Sequence, residues 1–207
     1  MADYSIKHKN SSEYNTSNWS GGTTTELGIG PEGSRYADRE FLWRISSATV
    51  DLEESTFTAL PDYNRIIMTL EGDIDLCHNN GEWIHLNAFE THSFDGGDDT
   101  VSKGKVVDFN LMTRKGDAGG AMIPLVFPED KAVSEICVTE TSLSDMNIYH
   151  EAMIYCHRGP VSVVLEDERE HVLNAGESLW LKGDFSGASV TVRGETGARA
   201  VLCAVRF

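Results

Sequence analysis

Residues 106–112, which read Val-Val-Asp-Phe-Asn-Leu-Met, alternate on a period of two, and this pattern is typical of a β-strand. Successive side chains of a strand point to opposite faces, so one face is apolar and the other carries Asp108 and Asn110. A carboxylate and an amide on a buried face need hydrogen-bond partners. On a face that lines a cavity, the same two groups can recognise a ligand.

The chain of 207 residues is strongly acidic, with 33 acidic against 17 basic residues and a formal net charge of −16. Phosphate backbones and anionic membrane surfaces repel such a chain, so we expect neither nucleic acid nor a membrane as a partner. Four scattered cysteines without CxxC spacing favour a reducing compartment. The first ten residues lack the apolar core of a signal peptide. We therefore expect a soluble, cytoplasmic protein.

Short segments rich in β-branched and aromatic residues recur along the chain, separated by Gly, Asp and Pro turns, and none shows long helical periodicity. The segments predicted to be extended are 41–50, 65–70, 74–78, 83–86, 90–94, 106–112, 121–127 and 133–141. Residues 28–40, which hold Gly, Pro and charges, are predicted to be a loop. Many short strands predict an all-β sandwich or barrel.

A strand-turn-strand pattern occurs twice, offset by 87 residues. Gly72 is followed 14 positions later by a Leu-Asn-Ala sequence that begins at Leu86, and Gly159 is followed 14 positions later by the same three residues from Leu173. The repeat indicates two related β-barrels. Residues 199–207, at the end of the second copy, lack the Asp-x-Asn pair. A function based on that pair would therefore belong to the first barrel alone.

Several segments together resemble the HutD/Ves family. These are residues 19–26 (Trp-Ser-Gly-Gly-Thr-Thr-Thr-Glu), 43–48 (Trp-Arg-Ile-Ser-Ser-Ala), Phe57 with Pro61 and Arg65, 70–72 (Leu-Glu-Gly) and 104–112. The resemblance implies a cupin-like fold with two β-barrel halves in one chain, a bicupin, which we divide into residues 1–118 and 119–207. It also implies a bacterial protein linked to histidine utilisation that binds a small molecule in a regulatory role.

The histidines do not form the pattern of a metal-binding cupin. Such a site needs a His-x-His pair followed by a Glu and a further His, because imidazoles and a carboxylate together fill the coordination sphere of a divalent metal. No His-x-His occurs among the seven histidines. His85 and His92 are the one pair worth testing, and their spacing of seven fits surface or capping roles better than metal ligation. We expect no catalytic metal and no cofactor.

Arg44 and Arg65 are the candidate anion-binding groups. Arg44 shares its predicted strand face with Ser46 and Ala48, whose small side chains leave room in a barrel lumen. A guanidinium can hold a carboxylate through two parallel hydrogen bonds. Alternatively, both arginines form structural ion pairs, for which Glu26, Glu71 and Asp108 are the candidate partners. The two roles can coexist, since Arg44 could be held by Asp108 and still present a second edge to a ligand.

We therefore expect the first barrel to bind a small carboxylate-bearing metabolite of histidine catabolism without catalysis. The residues expected to bind it are Glu26, Arg44, Ser46, Arg65, Asp108 and Asn110. The alternative is a metal-independent cupin isomerase or hydrolase that uses Glu26 or Asp108 as general base. A third alternative is an interaction protein in which the polar pair is only structural. Homodimerisation through an exposed sheet edge also stays open.

Overall fold

The structure, a computed structural model, describes residues 3–137, 150–184 and 189–207. Its strands are β1 (Asp3–Lys9), β2 (Asn15–Trp19), β3 (Gly22–Gly30), β4 (Trp43–Val50), β5 (Glu54–Thr56), β6 (Tyr63–Glu71), β7 (Ile74–His78), β8 (Trp83–Leu86), β9 (Thr91–Asp95), β10 (Thr100–Lys103), β11 (Val106–Arg114), β12 (Gly119–Val126), β13 (Val133–Cys137), β14 (Glu151–Arg158), β15 (Val161–Leu165), β16 (Glu170–Leu173), β17 (Ser178–Asp184), β18 (Val190–Glu195) and β19 (Arg199–Arg206). Two single-turn 3₁₀ helices cover Ser11–Glu13 and Tyr36–Asp38. No helix in these ranges is long and apolar enough to cross a bilayer.

The predicted all-β fold is confirmed, and two segments differ from their prediction. β3 continues to Gly30, inside the segment predicted to be a loop. A Cβ on Gly30 would lie 2.3 Å from the indole nitrogen of Trp43, so only glycine fits this strand end. The extended segment predicted at 133–141 is β13 as far as Cys137, and residues 138–141 lie outside the described residues.

The chain divides into two compact units. The first unit is Tyr14–Gly119, and the second combines Met1–Glu13 with Gly120–Phe207. β1 joins the second unit because it pairs antiparallel with β17, with Lys9 opposite Ser178. The sequence-based division assigned this N-terminal segment to the first barrel. A polar arm of this kind gives no local sign of a partner strand at the far end of the chain.

The first unit is built from two sheets. A six-stranded sheet has the order β2-β3-β4-β11-β6-β9, and a four-stranded sheet has the order β5-β10-β7-β8. Apolar side chains from both sheets pack in one buried cluster of Val50, Ile67, Ile74, Leu76, Leu86 and Val106. Burial of this surface holds the two sheets together.

The second unit repeats this arrangement with a five-stranded sheet, β1-β17-β14-β19-β12, and a four-stranded sheet, β13-β18-β15-β16. Ile74 pairs with Leu86 in the β7–β8 hairpin, and Val161 pairs with Leu173 in the β15–β16 hairpin. Val161 follows Ile74 by 87 positions, and Leu173 follows Leu86 by the same number, so the structure reproduces the repeat seen in the sequence. A continuous apolar cluster, which includes Phe127, fills the space between these sheets.

The sheets are open. Each has two outer strands that pair on one side only, and no sheet closes on itself through hydrogen bonds within the described residues. The closed barrels expected from the sequence are therefore not what the strand pairing shows. Each unit instead consists of two open sheets that share a core.

Candidate functional site

β11 lies between β4 and β6 and presents its polar face to a cavity of the first unit. Asp108 and Asn110 are each 5% exposed, whereas Phe109 on the opposite face is 0% exposed. The antiparallel register places Met112 opposite Arg44 on β4 and opposite Arg65 on β6. The two arginines therefore flank the end of the polar face.

The cavity has a volume of about 340 Å³. This size suits a small organic ligand. Five of the six residues predicted from the sequence line it, namely Arg44, Ser46, Arg65, Asp108 and Asn110. The sixth, Glu26, lies on β3 and reaches the cluster through its contact with Arg44.

Arg44 is held by an ion pair at one edge of its guanidinium. Its Nε donates to Glu26 Oε2 at 2.7 Å, and its Nη1 donates to Ser46 Oγ at 3.0 Å. The guanidinium carbon lies 4.3 Å from the ring centroid of Tyr36, a cation–π distance. Of the partners left open by the sequence, the structure gives Arg44 the carboxylate of Glu26.

Arg65 has no carboxylate in direct contact among the described residues. Its Nη2 donates to the amide oxygen of Asn110 at 2.8 Å, and its buried Nε has no hydrogen-bond partner within the part of the chain that the structure describes. The guanidinium carbon lies 4.8 Å from the ring centroid of Phe57 and 5.1 Å from that of Phe94. Burial lowers the pKa of Arg65 to about 10, and attraction to Asp108 opposes this shift only in part.

Asn110 connects Asp108 to Arg65. Its Nδ2 donates to Asp108 Oδ1 at 2.8 Å, while its Oδ1 accepts from Arg65. This amide orientation satisfies both neighbours, because a carboxylate can only accept and a guanidinium can only donate. Burial raises the pKa of Asp108 to about 6, against the opposing effects of Arg65 and of the Asn110 hydrogen bond.

A second group of hydrogen-bonded polar residues, His78, His92 and Thr100, joins the two sheets of the first unit, and we call it the histidine chain. His78 Nε2 lies 3.0 Å from His92 Nε2, and His78 Nδ1 lies 2.9 Å from Thr100 Oγ1, which donates to the carbonyl of Asp98 at 3.3 Å. The carbonyl of Asp98 can only accept, so the Thr100 hydroxyl donates its one hydrogen there. The same hydroxyl must therefore accept from His78 Nδ1–H. His78 Nε2 is then the acceptor for His92 Nε2–H. Burial lowers the pKa of both histidines.

His85 and His92, the pair singled out in the sequence, do not contact each other among the contacts of the described residues. His85 instead lies on the surface, where its Nδ1 is 2.7 Å from Asp75 Oδ1. In antiparallel β7 and β8, Asp75 stands directly opposite His85, which explains the contact. His92 lies on β9 in the other sheet and contacts His78.

The model of the HutD family matches residues 11–200 of the chain. The chain belongs to the HutD family. No curated protein sequence matches it.

Solved structures similar to this HutD-family chain show a common fold. The conserved protein of unknown function PA5104 from Pseudomonas aeruginosa PAO1 has a TM-score of 0.79 at 20% identity, over 98% of this chain and 100% of that one. HutD from Pseudomonas fluorescens SBW25 has a TM-score of 0.73 at 18% identity, over 98% of each chain. A cupin 2 conserved barrel domain protein from Leptotrichia buccalis has a TM-score of 0.55 at 13% identity, over 97% of this chain and 96% of that one. The fold is therefore all-β and cupin-like.

Within the described part of this HutD-family chain, no three His, Cys, Asp or Glu side chains converge in the way a metal site requires. Sequence reasoning missed Tyr36, which lines the cavity, and two residues near it, namely Phe94, whose ring lies beside Arg65, and His78, which contacts Phe94. Tyr36 lies in a segment without periodicity, so nothing local indicated its contact with Arg44. The repeat could have revealed His78, because its partner at an offset of 87 is Leu165. A histidine in one copy against a leucine in the other marks a position where the copies differ in chemistry.

Proposed function

We propose that the first unit binds a small carboxylate-bearing metabolite, without catalysing a reaction, and that this binding serves a regulatory role in histidine catabolism. The ligand would occupy the cavity between the two sheets. Glu26, Arg44, Ser46, Arg65, Asp108 and Asn110 would bind it or position the groups that do.

The observation that carries this proposal is the environment of Arg65. Its side chain is buried, its hydrogen bond goes to a neutral amide, and its Nε has no partner in residues 3–137, 150–184 and 189–207. Removing a cation from water is costly unless an anion and further hydrogen bonds compensate it. Asp108 attracts Arg65 from a distance, and a carboxylate in the cavity would add a directly hydrogen-bonded anion. This is the chemistry for which a buried guanidinium is suited.

The neighbouring residues suit the same ligand. The ion pair with Glu26 fixes Arg44, so its guanidinium is already oriented before a ligand arrives. Asn110 fixes Arg65 in the same way. The rings of Tyr36 and Phe57 lie beside the two guanidiniums and give the cavity apolar walls. Such a site combines a few oriented polar groups with apolar surface, as small-molecule sites commonly do.

Thermal unfolding with urocanate, histidine, glutamate and formylglutamate tests this proposal. A ligand that binds the native state raises the apparent stability, so at least one acid at millimolar concentration should raise Tm by several degrees. Arg65→Ala should abolish the shift. Arg193→Ala, which removes an exposed ion-paired arginine of the second unit, is the control and should keep it. Unchanged Tm with all four acids would contradict the proposal.

We further propose that the two units are the halves of a cytoplasmic bacterial bicupin, divided near residues 118 and 119. The support is the repeated hairpin register and the repeated pair of sheets in each unit. Separate expression of residues 14–119 and a urea titration of the product would test whether the first half folds alone.

A second candidate function is a metal-independent isomerase or hydrolase. The observation in its favour is Asp108, whose pKa is raised to about 6 by burial, within the range that suits a general base. Incubating the four acids with the protein and following them by NMR would detect turnover. An enzyme would lose turnover in Asp108→Asn but keep a ligand-induced Tm shift, whereas a binding protein shows no turnover in either form.

A further inference from the structure

Among the described residues, the charges around the cavity are balanced before any ligand binds. Arg44 and Arg65 contribute two positive charges, and Glu26 and Asp108 contribute two negative ones. A bound carboxylate adds one further negative charge to this buried group. An uncompensated charge in a region of low dielectric constant is strongly unfavourable, and a titratable group nearby can restore neutrality by taking up a proton.

The two carboxylates differ in how directly they contact a cation. Glu26 lies 2.7 Å from Arg44 Nε, so protonation of Glu26 would weaken a direct ion pair. Among the described residues, Asp108 makes no direct hydrogen bond to a guanidinium, and its carboxylate accepts from the side-chain amide of Asn110 through Oδ1 and from the backbone N–H of Ala48. Both donors are neutral, and a proton on Oδ2 of Asp108 would leave the hydrogen bond from Asn110 in place. Asp108 is therefore the carboxylate that loses least on protonation.

The elements around Asp108 offer few other proton acceptors. Among the described residues, Glu26 on β3, Arg44 on β4 and Arg65 on β6 are the other charged groups at the cavity, and Tyr36 adds a phenol. His78 and His92 do not line the cavity. They contact the ring of Phe94, which also contacts Phe57 and lies beside Arg65.

We propose that an anionic ligand enters this cavity together with one proton, which Asp108 takes up from solvent. The inference rests on the proposed carboxylate-binding function and adds pH as a regulator of the same site. The reaction is a protonation only: the Asp108 carboxylate becomes a carboxylic acid, and its new O–H can donate to the bound anion. The pKa of about 6 in the free protein places Asp108 within reach of such a change, because an added anion raises that pKa further.

Proton uptake makes ligand affinity depend on pH. Above the pKa of Asp108 in the free protein and below its pKa in the complex, the dissociation constant should rise up to about tenfold for each unit of pH. Below pH 6 the dependence should flatten, because Asp108 is already protonated in the free protein. Mildly acidic conditions would therefore favour the liganded state.

Isothermal titration calorimetry tests this inference on the full chain. Glutamate and formylglutamate are the probes, because neither has a group that titrates between pH 6 and 8. Titrations at pH 7.0 in phosphate and in Tris, matched in ionic strength, give the number of protons from the difference in apparent enthalpy. We expect uptake of about 0.9 proton for the wild type. Asp108→Asn should take up none, and the control Arg193→Ala, which removes an exposed ion-paired arginine of the second unit, should retain uptake.

The outcomes separate this inference from the proposed function. Binding with uptake below about 0.2 proton overturns the inference and leaves carboxylate binding intact. Uptake that persists in Asp108→Asn assigns the proton to another group and also overturns it. Absence of binding by any acid contradicts the proposed function itself. If Asp108→Asn does not fold, the affinity of the wild type from pH 6.5 to 8.5 decides, and a constant affinity contradicts the inference.

Discussion

The two units place different side chains at matched positions of the same strand pairing. The offset of 87 residues that relates β7 to β15 also relates β6 to β14, and it puts Ala152 where the first unit has Arg65. On the next strand, Asp108 and Asn110 of β11 correspond to Ala200 and Leu202 of β19, as the residues that face them show. These are Thr69 and Ile67 in the first unit and Cys156 and Ile154 in the second.

The histidine chain differs between the two units in the same way, because its polar residues are replaced by apolar ones in the second unit. His78 corresponds to Leu165, and His92 corresponds to Leu179, which faces Ile154 just as His92 faces Ile67. Thr100, opposite His78, corresponds to Val190 opposite Leu165. All the residues of the second unit at these positions belong to its apolar core. The pairing of the strands therefore does not require polar groups, and their presence in the first unit calls for a functional explanation.

Replacing the polar cluster of the first unit by the corresponding residues of the second should produce the largest effect on the free energy of unfolding. Asp108→Ala alone leaves Arg65 as a buried cation without a nearby anion, so we expect a loss of about 3 kcal/mol in the free energy of unfolding. The triple variant Arg65→Ala, Asp108→Ala, Asn110→Leu removes the whole cluster and should be more stable than the single variant, because no buried charge is left unpaired. Urea unfolding measures both.

Glu135→Ala provides the control, since it removes an exposed carboxylate from an ion pair of the second unit and should change stability by less than about 0.5 kcal/mol. If the triple variant loses as much as its three single substitutions together, the cluster is required for folding and the comparison between the units fails.

The polar face of β11 could be predicted because a period of two is visible within seven residues. The same reasoning placed Arg44, Ser46 and Ala48 on one face of β4, and all three line the cavity. Which carboxylate holds Arg44 could not be predicted in this way. Glu26 stands opposite Ser46 across β3 and β4, next to a register shift, and such a register depends on the whole sheet.

The dependence of stability on pH should give an intermediate effect. The pKa of Asp108 is raised from 3.8 to about 6 on folding, so between these values the folded protein binds more protons than the unfolded chain. The stabilising contribution is complete below pH 3.8 and is lost as pH rises through 6. From pH 4.5 to 7.5 the wild type should lose about 2 kcal/mol through this group.

Urea titrations of the wild type and Asp108→Asn at these two pH values isolate that contribution, because all other titrating groups are shared. As the pH rises from 4.5 to 7.5, the free energy of unfolding of the wild type should fall relative to that of Asp108→Asn by the same amount, about 2 kcal/mol. A difference that does not vary with pH would mean that Asp108 titrates in the folded protein as it does in the unfolded chain.

The histidine chain should give the smallest effect. His92→Leu leaves the Nε2 of His78 without its donor and should cost about 1 kcal/mol at pH 7.5. The double variant His78→Leu, His92→Leu reproduces Leu165 and Leu179 and should recover part of that loss. Chemical denaturation of the three proteins under one buffer condition measures these differences.

The stability that the histidine chain contributes depends on pH with the opposite sign to the contribution of Asp108. Burial lowers the pKa of both histidines, so their contribution is complete above pH 6.5 and is lost as pH falls. The double variant should therefore be less sensitive than the wild type to a change from pH 7.5 to 5.5. Equal sensitivity would show that the two rings titrate normally in the folded protein.

The histidine chain also shows what sequence reasoning could not reach. His78 and His92 lie on strands of different sheets, and only the packing of those sheets brings their rings together. Tyr36 reaches Arg44 from a single 3₁₀ turn. Contacts of this kind depend on how elements meet, whereas periodicity describes one element at a time.

β6 skips one residue in its pairing with β11: Asp108 faces Thr69, and Val107 faces Glu71. β14 makes the same skip between Cys156 and Arg158. A β-bulge beside a charged cluster invites a functional explanation, yet here it recurs beside an apolar core. The irregular backbone is thus a property of the scaffold, and the identity of the side chains is the variable. One chain therefore contains a charged and an apolar version of the same strand pairing, so side chains of the cavity can be exchanged without redesigning a strand.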